Sequence, residues 1–237
     1  MSAYKLAQIV KKPFRKACLW GDKKFFEPSL TPLSRELEEN YFHILAETKK
    51  IMARYDDFAP FQDISPDQTY ISNDDKWRMF FLKGAGMTFK KNAANFPVLM
   101  KVLNRHKSVV SAYLSVLGPD KALNPHEGPW AGVLRMHMGL IIPDPEKCHI
   151  NVEGDKYHWR NGKVVLFDDT YNHYAVNETD QLRVILFLDY MRPMKFPYNL
   201  FNWTVMKASW AFPYIWRPLL RHRRWSRKFY SDKLPVT

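Results

Sequence analysis

Cysteine is nearly missing: only Cys18 and Cys148 occur among 237 residues. Their number and spacing exclude a disulfide framework and a cysteine zinc site, and a reducing compartment follows as the expectation. Long apolar runs are missing too. No stretch reaches the roughly 18 apolar residues that cross a bilayer. The opening MSAYKLAQIVKK is basic but has no long apolar stretch followed by a small-residue cleavage site, so no signal peptide is expected. The expected location is cytoplasmic, or peripheral at the inner face of a membrane. There is no repeat, no low-complexity tract and no phosphate-binding glycine loop, since Gly84-Ala85-Gly86 is a lone glycine pair.

Acidic residues are scarce at both ends. Residues 1–24 hold seven Lys or Arg against Asp22, and residues 191–237 hold ten against Asp232. The net charge of +12 therefore resides at the termini, around a slightly acidic middle. Such ends suit an anionic partner or simple solubility. The aromatic content of 15%, with 8 Trp, argues against long disorder.

Thr31-Pro32 reads as a helix start, with Thr31 as the N-cap. Leu33, Leu37, Tyr41, Ile44, Leu45 and Met52 recur at helical spacing, which predicts one amphipathic helix over 32–54. Residues 55–75 read as loop, 76–83 as a strand, and 92–104 as a second helix. Strands are expected at 109–117, 133–142, 147–152, 162–168, 172–176 and 182–190. Asn161-Gly162 is a strong hairpin-turn signal. Many short strands with frequent turns predict a closed or double-sheet β architecture such as a jelly roll, braced by the preceding helices. A short helix is expected around 200–211, ending before Pro213.

Eight histidines occur, and His126 and His173 each end a strand-like segment beside a turn. At a barrel mouth, two such imidazoles can converge and bind Fe(II), Zn(II) or Ni(II). Arg135 and His137 alternate on one strand and so face one side. Arg183 lies on the next apolar strand after His173, where a buried guanidinium needs an anion. That anion is either Asp168 or Asp169, or the carboxylate of a bound ligand. Asp168-Asp169 otherwise serves the turn. His149 and His158 are expected on the strand surface, and Glu127 pointing away.

HEGPWAGVLRMHMGLIIP (126–143), YHWRNGKVVLFDDTYNHYAVN (157–177) and RVILFLDYMRP (183–193) occur in this order, with a strand around Cys148 between the first two. Over roughly 76–200 the chain thereby resembles the aspartyl/asparaginyl β-hydroxylase family of 2-oxoglutarate dioxygenases, which includes bacterial lipid A hydroxylases. The resemblance implies a mainly β double-stranded β-helix with flanking helices. It implies an enzyme that uses Fe(II), 2-oxoglutarate and O2 to hydroxylate an unactivated carbon. It implies that His126 and His173 ligate iron, and that Arg183, aided by Ser115, holds the distal carboxylate of 2-oxoglutarate. Arg135 and His137 are implied near its chelating end.

The facial-triad carboxylate is replaced by Gly128. Glycine there is similar to the eukaryotic aspartyl hydroxylases, whereas the lipid A hydroxylases carry Asp; residues 157–194 are closer to the latter. The substrate is thus an Asp/Asn side chain in a peptide or a lipid acyl chain. Two other readings stay open: a 2-oxoglutarate-dependent halogenase, and a degenerate, non-catalytic barrel that binds an anionic partner or membrane. The expected organisation is a basic lead-in (1–30), the dioxygenase domain with its N-terminal helices (31–200), and a basic aromatic extension (201–237). Trp203, Trp210, Trp216 and Trp225 alternate there with arginines. That tail either packs its aromatics on the barrel or contacts a membrane surface; nucleic acid is the less favoured partner.

Overall fold

The computed structural model describes residues 3–208 and 213–231. Helix α1 (Ala3–Ala17) leads to strand β1 (Phe25–Phe26), helices α2 (Pro32–Glu39) and α3 (Tyr41–Met52), strand β2 (Ala59–Pro60) and the one-turn helix α4 (Phe61–Ile64). Strands β3 (Trp77–Gly84) and β4 (Met87–Thr88), helices α5 (Lys90–Ala93) and α6 (Pro97–Arg105), and strands β5 (Val109–Leu117) and β6 (Lys121–Ala122) follow. The barrel is completed by β7 (Val133–Ile141), β8 (Cys148–Val152), β9 (Asp155–His158), β10 (Val164–Phe167), β11 (His173–Asn177) and β12 (Arg183–Met191). Helices α7 (Tyr198–Lys207) and α8 (Pro213–Ser231) end the described chain.

The strands form two antiparallel sheets, ordered β1-β10-β7-β12-β5-β3-β2 with β4 attached to β3, and β6-β11-β8-β9. This is the expected double-stranded β-helix with flanking helices. The larger sheet divides the core by residue parity. Even-numbered residues such as Phe80, Leu114, Met136, Leu166 and Leu186 join the core built with α2, α3 and α6. Odd-numbered Trp77, Tyr113, Val165, Phe167 and Ile185 join the core shared with the second sheet. Registers such as Ile185↔Ser115 and Phe187↔His137 keep this phase from strand to strand. A one-residue slip would expose both cores, so burial on two faces fixes the register.

Three sequence expectations are corrected. The helix expected over 32–54 is broken at Asn40, whose side-chain amide donates to Glu36 O at 2.8 Å. An Asn amide competes with the helical ladder, while the apolar stripe keeps its phase across the break. Asn161-Gly162 does not close a hairpin, because β9 pairs with β8 and β10 pairs with β7. The two-residue turn is instead Glu153-Gly154, both at positive φ, between β8 and β9, a strand that the sequence does not announce. His149 is buried against His158 and Tyr174, not exposed.

The C-terminal helix α8 starts at Pro213 and packs aromatics on the barrel, one of the readings given above for the tail. Its Leu219, His222, Ser226 and Phe229 recur at helical spacing and are buried. β2 and β4 cover only the two ends of β3, leaving the backbone of Phe81 open on that edge. His222 Nε2 accepts from Phe81 N at 3.2 Å, and Asn92 donates to Phe81 O at 2.8 Å. Buried backbone polar groups need such partners. Trp225 packs on Phe80 and donates to Asp57 O, so the tail's aromatic at this position belongs to the core. Trp210 lies outside the described residues.

Burial pushes His222 down to about 3, below the ordinary 6.5. The unfolded chain therefore takes up this proton first, and stability is lost as the pH falls from about 6.5 toward about 3. The His222→Phe variant leaves a buried N–H unpaired and should cost about 1–3 kcal/mol at neutral pH. It should also remove one proton from the acid slope of stability, which urea unfolding between pH 7 and pH 4 measures.

Candidate active site

Parity brings four of the six predicted residues to the inner face of the large sheet. Ser115, Arg135, His137 and Arg183 are all odd-numbered, on β5, β7 and β12. His126 and His173 come from the opposite side. All six line one narrow cavity, together with Trp77, Trp159, Phe167 and Phe187, which sequence reasoning did not single out.

The two histidines meet through the backbone. His126 N donates to His173 O at 3.0 Å, and His173 N donates to His126 O at 2.9 Å, an isolated antiparallel bridge. Directly opposed residues send their side chains to the same face. The ring centroids are 4.3 Å apart. His126 Nδ1 donates to Asn124 O at 2.7 Å, and His173 Nδ1 donates to Tyr171 O at 3.0 Å. A carbonyl can only accept, so each Nδ1 carries the proton and each Nε2 keeps a lone pair. Burial, then the neighbouring His173, pushes His126 down to about 4, and burial also lowers His173. Both imidazoles are neutral donors at neutral pH.

Deeper in the cavity Arg183 is 1% exposed, and its Nε and Nη1 have no hydrogen-bond partner. The guanidinium lies 4.8 Å over the Trp159 ring. Burial pulls its pKa down to about 10, which still leaves it charged at neutral pH. Neither carboxylate that the sequence offered serves it. Asp168 pairs with Arg192 at 2.7 Å, and Asp169 pairs with Arg135 at 2.8 Å. Both ring nitrogens of His137 and the indole nitrogen of Trp159 are also buried without partners. Burial, then the charges of Arg183 and Arg135, holds His137 well below the ordinary imidazole value. Ser115 Oγ accepts from Trp77 Nε1 at 3.0 Å, which leaves its own O–H available to donate. Buried polar groups aimed into one cavity are the signature of a polar ligand, and a guanidinium fork suits a carboxylate.

At the mouth, Arg135 is neutralised by Asp169 and by Asp189. Gly128 N donates to Asp169 O at 2.7 Å, and a Cβ on Gly128 would overlap the Asp169 carboxylate. The space that a side chain at 128 would take is thus filled by residue 169. Glu127 points outward and pairs with Lys11 at 2.6 Å. The chemistry on offer is two imidazole donors for a metal ion, a buried cation for a carboxylate, and an aromatic lining that excludes water.

The close approach of Gly128 makes a specific stability prediction. The Gly128→Ala variant should lose about 1–3 kcal/mol through overpacking. In an Asp169→Ala background the same substitution should cost less, because the clash is with that carboxylate. A double-mutant cycle by urea unfolding measures the coupling.

Residues 38–193 match the family described as aspartyl/asparaginyl beta-hydroxylase. An ornithine lipid ester-linked acyl 2-hydroxylase of Rhizobium tropici is 38% identical over 213 residues, covering 90% of this chain and 76% of that protein. The aspartyl/asparaginyl beta-hydroxylase of Homo sapiens is 27% identical, covering 75% of this chain but only 23% of its own length. A solved prolyl-4-hydroxylase of Pseudomonas putida aligns with 68% of this chain and 98% of its own, at 10% identity and a TM-score of 0.42. The match across 38–193 and the 38% identity to the R. tropici enzyme lead to one conclusion: the chain belongs to the aspartyl/asparaginyl β-hydroxylase family.

Proposed function

We propose that the protein is an Fe(II)- and 2-oxoglutarate-dependent hydroxylase acting on a fatty-acyl chain of a polar lipid. One observation carries this reading. A single cavity holds two imidazoles with free Nε2 lone pairs and, deeper, a charged guanidinium without a carboxylate partner. His126 and His173 would hold the iron. Arg183 and Ser115 would hold the distal carboxylate of 2-oxoglutarate, with His137 and Arg135 near its chelating end. When bound, iron, O2 and 2-oxoglutarate supply the oxidation that replaces C–H by C–OH, with succinate and CO2 as co-products.

The protein's own part is positioning. The carbonyls of Asn124 and Tyr171 fix the orientation of each imidazole. Trp159, Phe167 and Phe187 surround the cavity with apolar surface and keep bulk water from it. No side chain is required to take a proton from carbon, so none is assigned as a base. The presence of the complete polar set argues against a degenerate barrel. The Asp169 carboxylate filling the space over Gly128 disfavours a chloride there, and with it halogenation.

The lipid reading rests on extent. A match covering 90% of the chain reaches beyond 38–193 into the flanking segments. Peptide substrates are the other arm of the test. Incubation with Fe(II), 2-oxoglutarate and either an aminoacyl lipid or an Asp-containing peptide should yield a hydroxylated acyl chain, detected by mass spectrometry. Hydroxylation of the peptide alone would replace the lipid reading. The His173→Ala variant should form neither product nor succinate. The Arg183→Met variant should raise the 2-oxoglutarate KM by about 10²-fold or more, as expected for losing a buried charge contact. Full coupled turnover by either variant would overturn the assignment.

A further inference from the structure

Helices α1 and α7 form one surface whose outer side is apolar and basic. They join at Phe14, whose ring lies 5.4 Å from Trp130, 6.1 Å from Tyr198 and 5.9 Å from Phe201. Lys195 N donates to Ala17 O at 2.9 Å, tying the approach to α7 onto the end of α1. On α7, Asn202 faces inward, accepts from Trp130 Nε1 and donates to Gly132 O. Leu200, Trp203 and Lys207 follow one another at helical spacing on the opposite face. Phe196 is 77% exposed, Ile9 56%, Leu200 54% and Trp203 50%. Single exposed apolar residues are ordinary, but four on two packed helices and the segment leading into α7 point to a contact surface.

The charge of this surface identifies the partner. Residues 3–17 and 193–207 contain no Asp or Glu. Lys12, Lys16, Lys195 and Lys207 are exposed, and among the described residues no carboxylate pairs with them. Lys12, Lys16 and Lys195 line a shallow groove together with Pro13, Ala17, Phe196 and Tyr198. Aromatic and aliphatic side chains that project beside unpaired lysines are matched by the interface of an anionic bilayer. On helix α8, Trp225 and Phe229 pack against the core, which leaves Leu220, at 44% exposure, beside its arginines. No helix among the described residues is long and apolar enough to cross a membrane, so the contact would be peripheral.

The surface adjoins the mouth of the cavity. From α1, Lys11 pairs with Glu127, next to His126, and Arg15 contacts the Tyr171 hydroxyl, two residues before His173. We propose that the α1–α7 surface docks on an anionic lipid bilayer and holds the mouth of the cavity against it. The proposal deepens the acyl-lipid reading and rests on it for the identity of the substrate. Its test requires no turnover.

The full chain, without iron or 2-oxoglutarate, is sedimented with phosphatidylcholine vesicles and with phosphatidylcholine vesicles containing phosphatidylglycerol. Binding is expected to the second alone, weakened by salt and accompanied by a blue shift of tryptophan fluorescence. The paired substitution Phe196→Ser with Trp203→Ser should weaken binding about tenfold or more, as should Lys12→Glu with Lys16→Glu, both with unchanged Tm. Three results would overturn the proposal: no vesicle binding by the unaltered chain, binding indifferent to both pairs, or a solution dimer that the Trp203→Ser change dissociates. Binding to a single-stranded oligonucleotide in place of vesicles would likewise overturn it. Should vesicle binding behave as expected while no acyl chain is hydroxylated, docking stands and the assigned reaction falls. Should an acyl chain be hydroxylated without vesicle binding, the reaction stands and docking falls.

Discussion

The site depends on two backbone hydrogen bonds between His126 and His173. The loop that carries His126 belongs to no strand, yet this reciprocal pair docks it against the start of β11. Antiparallel opposition then places both imidazoles on one face, and the same local device orients each of them. In both cases Nδ1 donates to the carbonyl two residues earlier, Asn124 or Tyr171. The donors are thus fixed by main-chain atoms, whose positions the barrel sets. Backbone geometry, more than any side-chain network, brings two imidazoles 47 positions apart in sequence side by side in one cavity.

Around this pair the arginines divide by depth and by partner. Arg192 is buried with Asp168, in an ion pair that anchors the turn before His173 to the end of β12. Arg135, at the mouth, is shared by Asp169 and Asp189. Arg183 alone among these three has no carboxylate, although it is among the most deeply buried side chains of the protein. A buried charge left unpaired costs several kcal/mol. Folding bears that cost because the pairing of β12 with both β5 and β7 fixes the register that carries Arg183 inward. A guanidinium already stripped of water in this way would lose little more on binding an anion. The neutral state of His137 is favoured by its burial and by the same cation beside it.

Much of this is legible in the residues alone. The near-continuous apolar runs at 133–142 and 182–190 locate β7 and β12 almost to the residue, because strands buried on both faces read that way. Parity then puts Ser115, Arg135, His137 and Arg183 on a common face. Long-range partners are not legible. Glu47 lies in the middle of α3 and reads as a solvated helix residue. It is buried and accepts from Val98 N and Leu99 N, capping α6, which begins at Pro97. Nothing in the spacing announces a cap supplied from 51 residues away. Helix α8 is obscured for a related reason: its Pro218 and dense arginines mask an apolar face whose need arises only from the open edge of β3. Trp77 and Trp159 read as ordinary core aromatics, and only the cavity reveals that their indole nitrogens face polar company or none.

Gly128 illustrates how a departure in sequence can be a substitution in space. Taken alone, it removes a carboxylate from the site. In the folded chain the backbone of residue 128 lies against Asp169, N–H to carbonyl, and the absence of a Cβ is what admits the Asp169 side chain. A carboxylate therefore still stands beside the two imidazoles, presented from the turn before β11 and held by Arg135 instead of standing free. The negative charge is kept while its supporting segment changes. Its pairing with Arg135 ties that charge up, and the described residues contain no cluster of three His, Cys, Asp or Glu side chains that could hold a metal ion. The glycine and the aspartate are one structural choice, so a chain with Asp at 128 would need a smaller residue at 169 to fold in the same way.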